Sequence, residues 1–164
     1  MSKTVFIEDL ENATLTITRS FRAPLTKVWD AFTQPEILDQ WWAPKPWKAK
    51  THEMKFENGG YWKYSMNGPE GERHACRMNY GEIVLHEKYT GADYFCDDHF
   101  EIKDDMPSSN NVVTFMEIDG HCEVVMVSDF GTVEALQQVI KMGMKEGLTM
   151  AQDQLEALLE EGRI

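Results

Sequence analysis

The sequence predicts an α+β fold in which an antiparallel sheet is crossed by a long C-terminal helix. Three observations predict it. Residues 132–161 carry Val133, Leu136, Ile140, Met144, Gly147, Ala151, Leu155 and Leu158 at spacings of three and four, which is one apolar helical stripe. Residues 47–130 read almost entirely as strand and turn. One strand and two short helices come before that run. At 1.5 Å per residue the C-terminal helix is about 40 Å long, so it must lie across a sheet to bury its stripe.

Each element has a local cause. Residues 1–13 are mixed and read as an N-terminal lead-in. Residues 14–21 (TLTITRSF) alternate and are β-branched, with Leu15 and Ile17 on one face and Arg19 a third candidate for it. Ala23-Pro24 stops the strand, and Pro24 suits the first turn of a helix whose stripe is Leu25, Val28, Trp29 and Phe32. Thr33-Gln34-Pro35-Glu36 has capping-box spacing and predicts a second short helix to about Gln40, followed by Trp41-Trp42. Strand runs follow at 48–56, 61–66, 72–80, 82–86 and 89–95, punctuated by Asn58-Gly59-Gly60, the 67–71 turn and a bulge at Gly81. Residues 96–111 are acidic and then Pro/Ser/Asn-rich, a poorly patterned strand leading into a loop. Asp119-Gly120 between 112–118 and 121–130 is the strongest hairpin signal. Thr132 is the expected N-cap of the last helix, with Glu134 in its first turn. No repeat or linker divides the chain, so residues 14–161 are expected to form one domain.

Composition excludes several function classes. A net charge of −12 supplies no basic surface for nucleic acid or for an anionic membrane. No apolar run approaches the roughly 18 residues of a membrane span, and the N-terminus lacks the pattern of a secretory signal. Three cysteines, Cys76, Cys96 and Cys122, are odd in number and lack framework spacing, so reduced thiols in a cytoplasmic protein are expected.

The element order and four stretches resemble a known family. ITRSFRAPLTKVWDAFTQPEILDQWW (17–42), ENGGYWKYSMNGPEG (57–71), YGEIVLHEKY (80–89) and IKMGMKEGLTMAQDQL (140–155) are similar to bacterial relatives of the C-terminal domain of the heat-shock protein 90 ATPase activator, within the START-related superfamily. The resemblance covers roughly residues 14–160. It implies a helix-grip fold: a curved antiparallel sheet of about six to seven strands wrapped on a long C-terminal helix, with two short helices after the first strand and a cavity between sheet and helix. The chain departs from the family at Leu148, where an aromatic residue is frequent, and in its acidic 96–111 segment.

Within that frame the strand faces nominate a cavity lining. Trp62, Tyr64 and Met66 share a face, as do His74, Cys76, Met78 and Tyr80, and as do Val124, Met126 and Ser128. Gly143 and Gly147 each cost about 1 kcal/mol against alanine in a helix interior, so something must approach closely there: a strand, a side chain or a ligand. Of Trp41 and Trp42, one is expected to plug the core and the other to rim the cavity mouth. The candidates for ligand contact are thus Trp41, Trp42, Trp62, Tyr64 and Met66, then His74, Cys76 and Met126, and from the helix Met144, Gly147 and Leu148. Such a lining suits an apolar or aromatic small molecule. The plainer alternative is that these side chains simply fill the core.

Chemistry is sparse. His74 and Cys76 lie two apart on one strand face, which is compatible with metal ligation or nucleophile activation. However, there is no CxxC, HExxH, GxSxG or phosphate-binding glycine loop, so no metal and no cofactor are expected and no catalytic residue is assigned. The superfamily resemblance keeps two alternatives open. One is a cyclase- or hydratase-like enzyme using His74, Tyr64 and Tyr80; the other is a chaperone-associated partner protein.

Overall fold

Alternation of β-branched and polar residues produces one eight-stranded sheet in the computed structural model, which describes residues 3–164. The elements are β1 (Val5–Asp9), β2 (Thr14–Phe21), α1 (Leu25–Thr33), α2 (Pro35–Trp41), β3 (Lys48–Lys55), β4 (Tyr61–Asn67), β5 (Arg73–Val84), β6 (Lys88–Cys96), β7 (Ser109–Ile118), β8 (His121–Asp129), α3 (Val133–Lys141) and α4 (Met144–Glu160). The spatial order is β1-β2-β8-β7-β6-β5-β4-β3, with every neighbouring pair antiparallel. Helices α1 and α2 carry the chain from β2 to β3 at the far edge, and the C-terminal helices cover the same apolar face. This is the expected helix-grip architecture.

Four expectations need correction. The sheet has eight strands rather than six to seven, because Val5–Asp9 within the expected lead-in pairs with Thr14–Thr18 as an edge strand. The two short helices therefore follow the second strand. Residues 1 and 2 of the lead-in lie outside the described residues. The expected strands at 72–80 and 82–86 are one strand, β5, whose register shifts between Tyr80 and Ile83, as the Gly81 bulge implied. The expected cap at Thr33 does not form. Its hydroxyl donates back to the Trp29 carbonyl at 2.7 Å, and α2 starts instead from Gln34 with Pro35 setting its first turn.

The fourth correction concerns the C-terminal helix. It is not continuous: Gly143 sits in the left-handed region at φ 91°, and α3 and α4 meet there. The break is only Met142 and Gly143 long, and the apolar stripe resumes beyond it, so spacing alone could not reveal it. Thr132 does cap α3, its Oγ1 accepting from the Ala135 N–H at 3.1 Å.

Two apolar clusters hold the helices. The larger joins Val28, Phe32, Trp41, Tyr89, Phe115 and Leu155 with their neighbours, so α1, α2 and the C-terminal half of α4 are packed together on the sheet. The smaller consists of buried Leu15, Ile17 and Leu136, with Met126, Met144 and Leu148 partly buried against it. The far half of α4 is also tied by polar contacts. Arg19, fully buried on β2, donates from Nη1 to Asp153 at 2.7 Å and from Nη2 to Glu156 at 2.9 Å. Gln154 donates from Nε2 to the carbonyls of Trp41 and Ala43 at 3.1 and 2.9 Å, and accepts from the Lys45 N–H at 2.7 Å.

Candidate functional site

Between the two apolar clusters the sheet and the C-terminal helices fail to close on one another, leaving a cavity of about 400 Å³. Its floor comes from β4, β5, β6, β7 and β8, and its roof from α3, α4 and the residues around their junction. The volume falls within the roughly 300–1,000 Å³ usual for small-molecule sites. A side chain that would otherwise fill it is missing at Gly147. A Cβ there would meet only the Pro44 ring, at an ordinary 3.8 Å. A broader hollow of about 530 Å³ lies outside, formed by α2, the loop after it and the start of β3. Among the described residues, no buried and unpartnered polar atom borders that second hollow.

The polar groups of the cavity are few and come from different strands. Asp93 on β6 lines it, half-buried as a residue, with Oδ1 sealed from solvent and accepting no hydrogen bond. Burial pushes its carboxyl up from the ordinary value to about 7, with the Tyr94 N–H and the Tyr64 hydroxyl pulling the other way. Trp42 Nε1, also lining the cavity, is buried without an acceptor. Burial, and then the Asp93 charge, raise Tyr64 well above the usual phenol range. Cys76 is likewise pushed up by burial first and by Asp93 second, so its thiol is held protonated rather than activated. Beside them Ser128 donates to Asn111 Oδ1 at 2.6 Å, a buried polar pair on β8 and β7. Chemically, the site can hold an apolar body against aromatic and Met side chains and engage one polar end; the Asp93 carboxyl is poised to exchange a proton near neutral pH.

A family model described as "Activator of Hsp90 ATPase homolog 1-like protein" matches residues 22–160. The chain belongs to that family. As the quoted motifs implied, this places it in the START-related superfamily. Solved structures of similar chains agree. A Mycobacterium smegmatis protein is 36% identical with a TM-score of 0.89, the match covering 96% of each chain. An Arthrobacter aurescens protein is 27% identical with a TM-score of 0.89, covering 96% of this chain and 91% of that one. A Staphylococcus epidermidis protein is 28% identical with a TM-score of 0.84, covering 96% and 94%. No curated protein matches the chain.

In this activator-like chain most of the nominated side chains converge. Trp42, Tyr64 and Met66 line the cavity, joined by His74, Cys76 and Met126 from the later strands. Met144, Gly147 and Leu148 face it from α4. Two nominations do not. Trp41 is fully buried in the main core, its Nε1 donating to the Ala31 carbonyl at 2.9 Å. Trp62 is stacked on Tyr64 at 4.0 Å and gives its indole N–H to Thr51 at 3.0 Å, one layer away from the space. Of the three residues named for the catalytic alternative, Tyr64 and His74 line the cavity, His74 exposed and stacked on Trp47 at 5.4 Å, while Tyr80 lies off it among Phe56 and Tyr89.

Asp93, Asn111 and Ser128 were not nominated. A signal existed for Asp93. Tyr89, Gly91, Asp93 and Phe95 share one parity on β6, and Tyr89 and Gly91 are buried, so the carboxylate had to point toward the core side. Among the described residues no cluster of three metal-ligating side chains forms, and no helix is long and apolar enough to cross a membrane.

Proposed function

We propose that this protein binds a small, largely apolar or aromatic molecule in the cavity between the sheet and the C-terminal helices, and that it does so in the cytoplasm. The observation that carries the reading is the space of about 400 Å³ left beside Gly147, among Met, aromatic and Val side chains. Cys76, Cys96 and Cys122, buried and free, support a reducing compartment. The net charge of −12 supports a small-molecule partner over nucleic acid.

Gly147→Leu tests the reading. The added side chain enters open space, and the helix gains about 0.5–1 kcal/mol of propensity. Stability in chemical denaturation is expected to hold, while the affinity for a fluorescent apolar probe is lost. A variant destabilised by about 1–3 kcal/mol, together with a parent protein that binds no probe, would mean a packed core instead. A second reading rests on the family description alone: association with a chaperone ATPase, tested by co-purification with the purified chaperone.

A further inference from the structure

Resting on the small-molecule reading, we propose that the cavity selects ligands that carry one protonated nitrogen on an apolar body, with the Asp93 carboxylate as the counter-ion. Among the described residues no Lys, Arg or Glu lines the cavity, so Asp93 is the one carboxylate there and has no lysine or arginine partner inside it. The only other group there able to carry positive charge is His74, exposed at the mouth and stacked on Trp47. Asp93 lines the cavity, and its Oδ1 has no hydrogen-bond partner among the described residues. A buried carboxylate oxygen without a donor is an unmade hydrogen bond, and the strongest donor for it is a charged N–H.

The surroundings fit the rest of such a ligand. Trp42, Tyr64, Tyr89 and Phe95 line the same space, and aromatic faces attract a cation as well as an apolar body. A carboxylate-bearing ligand would meet Asp93 with like charge and no lysine or arginine in the cavity to offset it. An alcohol can donate to Asp93 but brings no charge. The ranking that follows is amine above alcohol above carboxylate.

The titratable neighbours of Asp93 do not alter the sign. They are Tyr64 from β4, Cys76 and Tyr80 from β5, and Tyr89 and Cys96 from its own strand, all with protons held more tightly than usual and therefore neutral. The residues that line the cavity from β7, β8 and α4, Asn111, Ser128 and Met144 among them, carry no charge. Ionisation of Asp93 thus governs the site. The amine should bind well above the Asp93 value of about 7 and lose affinity below it.

The experiment is calorimetric titration of the full chain with three probes that share a naphthalene ring and carry an aminomethyl, a hydroxymethyl or a carboxylate group. It is run one pH unit above and one below 7, on the parent and on Asp93→Asn. The amine is expected to bind tightest at the higher pH and to weaken about tenfold at the lower, as the ionised fraction of a group of pKa about 7 falls, while the alcohol changes little. Asp93→Asn is expected to bring the amine down to the level of the alcohol and to erase its pH dependence. An amine no tighter than the alcohol, or a preference unchanged in Asp93→Asn, overturns the selection by Asp93 and leaves the cavity reading standing. Failure of all three probes to bind the parent overturns the cavity reading itself.

Discussion

The two halves of the C-terminal helical segment do opposite work with similar sequences. Residues 151–159 are packed: Ala151, Leu155, Leu158 and Leu159 are buried in the main core, and Arg19 and Gln154 tether the same turns to β2 and to the end of α2. Residues 139–148 are a roof. Val139, Met142, Met144 and Leu148 reach over open space, and the backbone breaks at Gly143. The apolar stripe runs through both halves, so hydrophobic periodicity alone does not say whether a helix fills a core or covers a cavity. Side-chain volume and tethering decide that: the packed half carries leucines plus a buried ion pair, and the roof carries methionines and glycines.

That contrast can be broken most forcefully at Leu155. Leu155→Ala removes a fully buried side chain from the packed half and should cost about 2–5 kcal/mol in urea unfolding. The roof counterpart, Leu148→Ala, already faces space on one side and should cost less than about 1 kcal/mol in the same measurement. Comparable losses at the two positions would remove the distinction.

Asp93 gives the next largest effect, and its sign is set by the direction of its shift. The folded protein keeps the proton up to about pH 7, whereas the unfolded chain releases it near the ordinary value of 3.8. Folding stability from this group is therefore complete below the unfolded value and declines as the pH rises through the folded one. Asp93→Asn should flatten that slope and stabilise the protein at pH 8 by about 1–3 kcal/mol, a figure kept low because the residue is only half-buried. Urea midpoints of parent and variant at pH 5 and pH 8 check it; a variant less stable than the parent at pH 8 would show that Asp93 has a cationic partner.

The smallest effects come from the two glycines, and they should differ in sign. Gly143→Ala forces a side chain into the left-handed region and should destabilise by about 1–2 kcal/mol. Gly147→Ala lies within α4, has room for the methyl group and should stabilise by about 0.5–1 kcal/mol. Thermal midpoints of both variants decide whether the break and the roof are separable features of the segment.

Much of this was legible in the sequence where local chemistry and tertiary structure agree. The β2 alternation buries Leu15, Ile17, Arg19 and Phe21 in turn, and Asp119-Gly120 makes its hairpin with both residues at positive φ, 51° and 80°. Legibility failed where two local signals compete. Thr33 could cap one helix or close another, and the Pro35 geometry won. Trp41 and Trp42 look alike as neighbours, and both stand at helical spacing from Leu38, three and four residues on, yet Trp41 is buried in the core while Trp42, at the helix end, reaches the cavity. The α4 part of the roof, Met144, Gly147 and Leu148, was nominated, because a methionine and a helical glycine are conspicuous there, whereas Val139 and Met142 before the break were not. Asp93 was missed, because a single aspartate in a strand looks like solvent-facing charge until the parity of its neighbours is counted.

The pairing of β2 with β8 sets the order in which the molecule can assemble. Thr14 lies opposite Asp129 and Phe21 opposite Cys122, so an early strand finds its central neighbour only after almost the entire sheet has been synthesised. Until then β2 has only the edge strand β1 as a partner, and its Leu15 and Ile17 wait for Leu136 of α3 to cover them. Closing a loop of that length costs conformational entropy before any contact repays it, so folding should be slow for a chain of this size. During synthesis the waiting strand is a place where neighbouring chains could pair with one another instead.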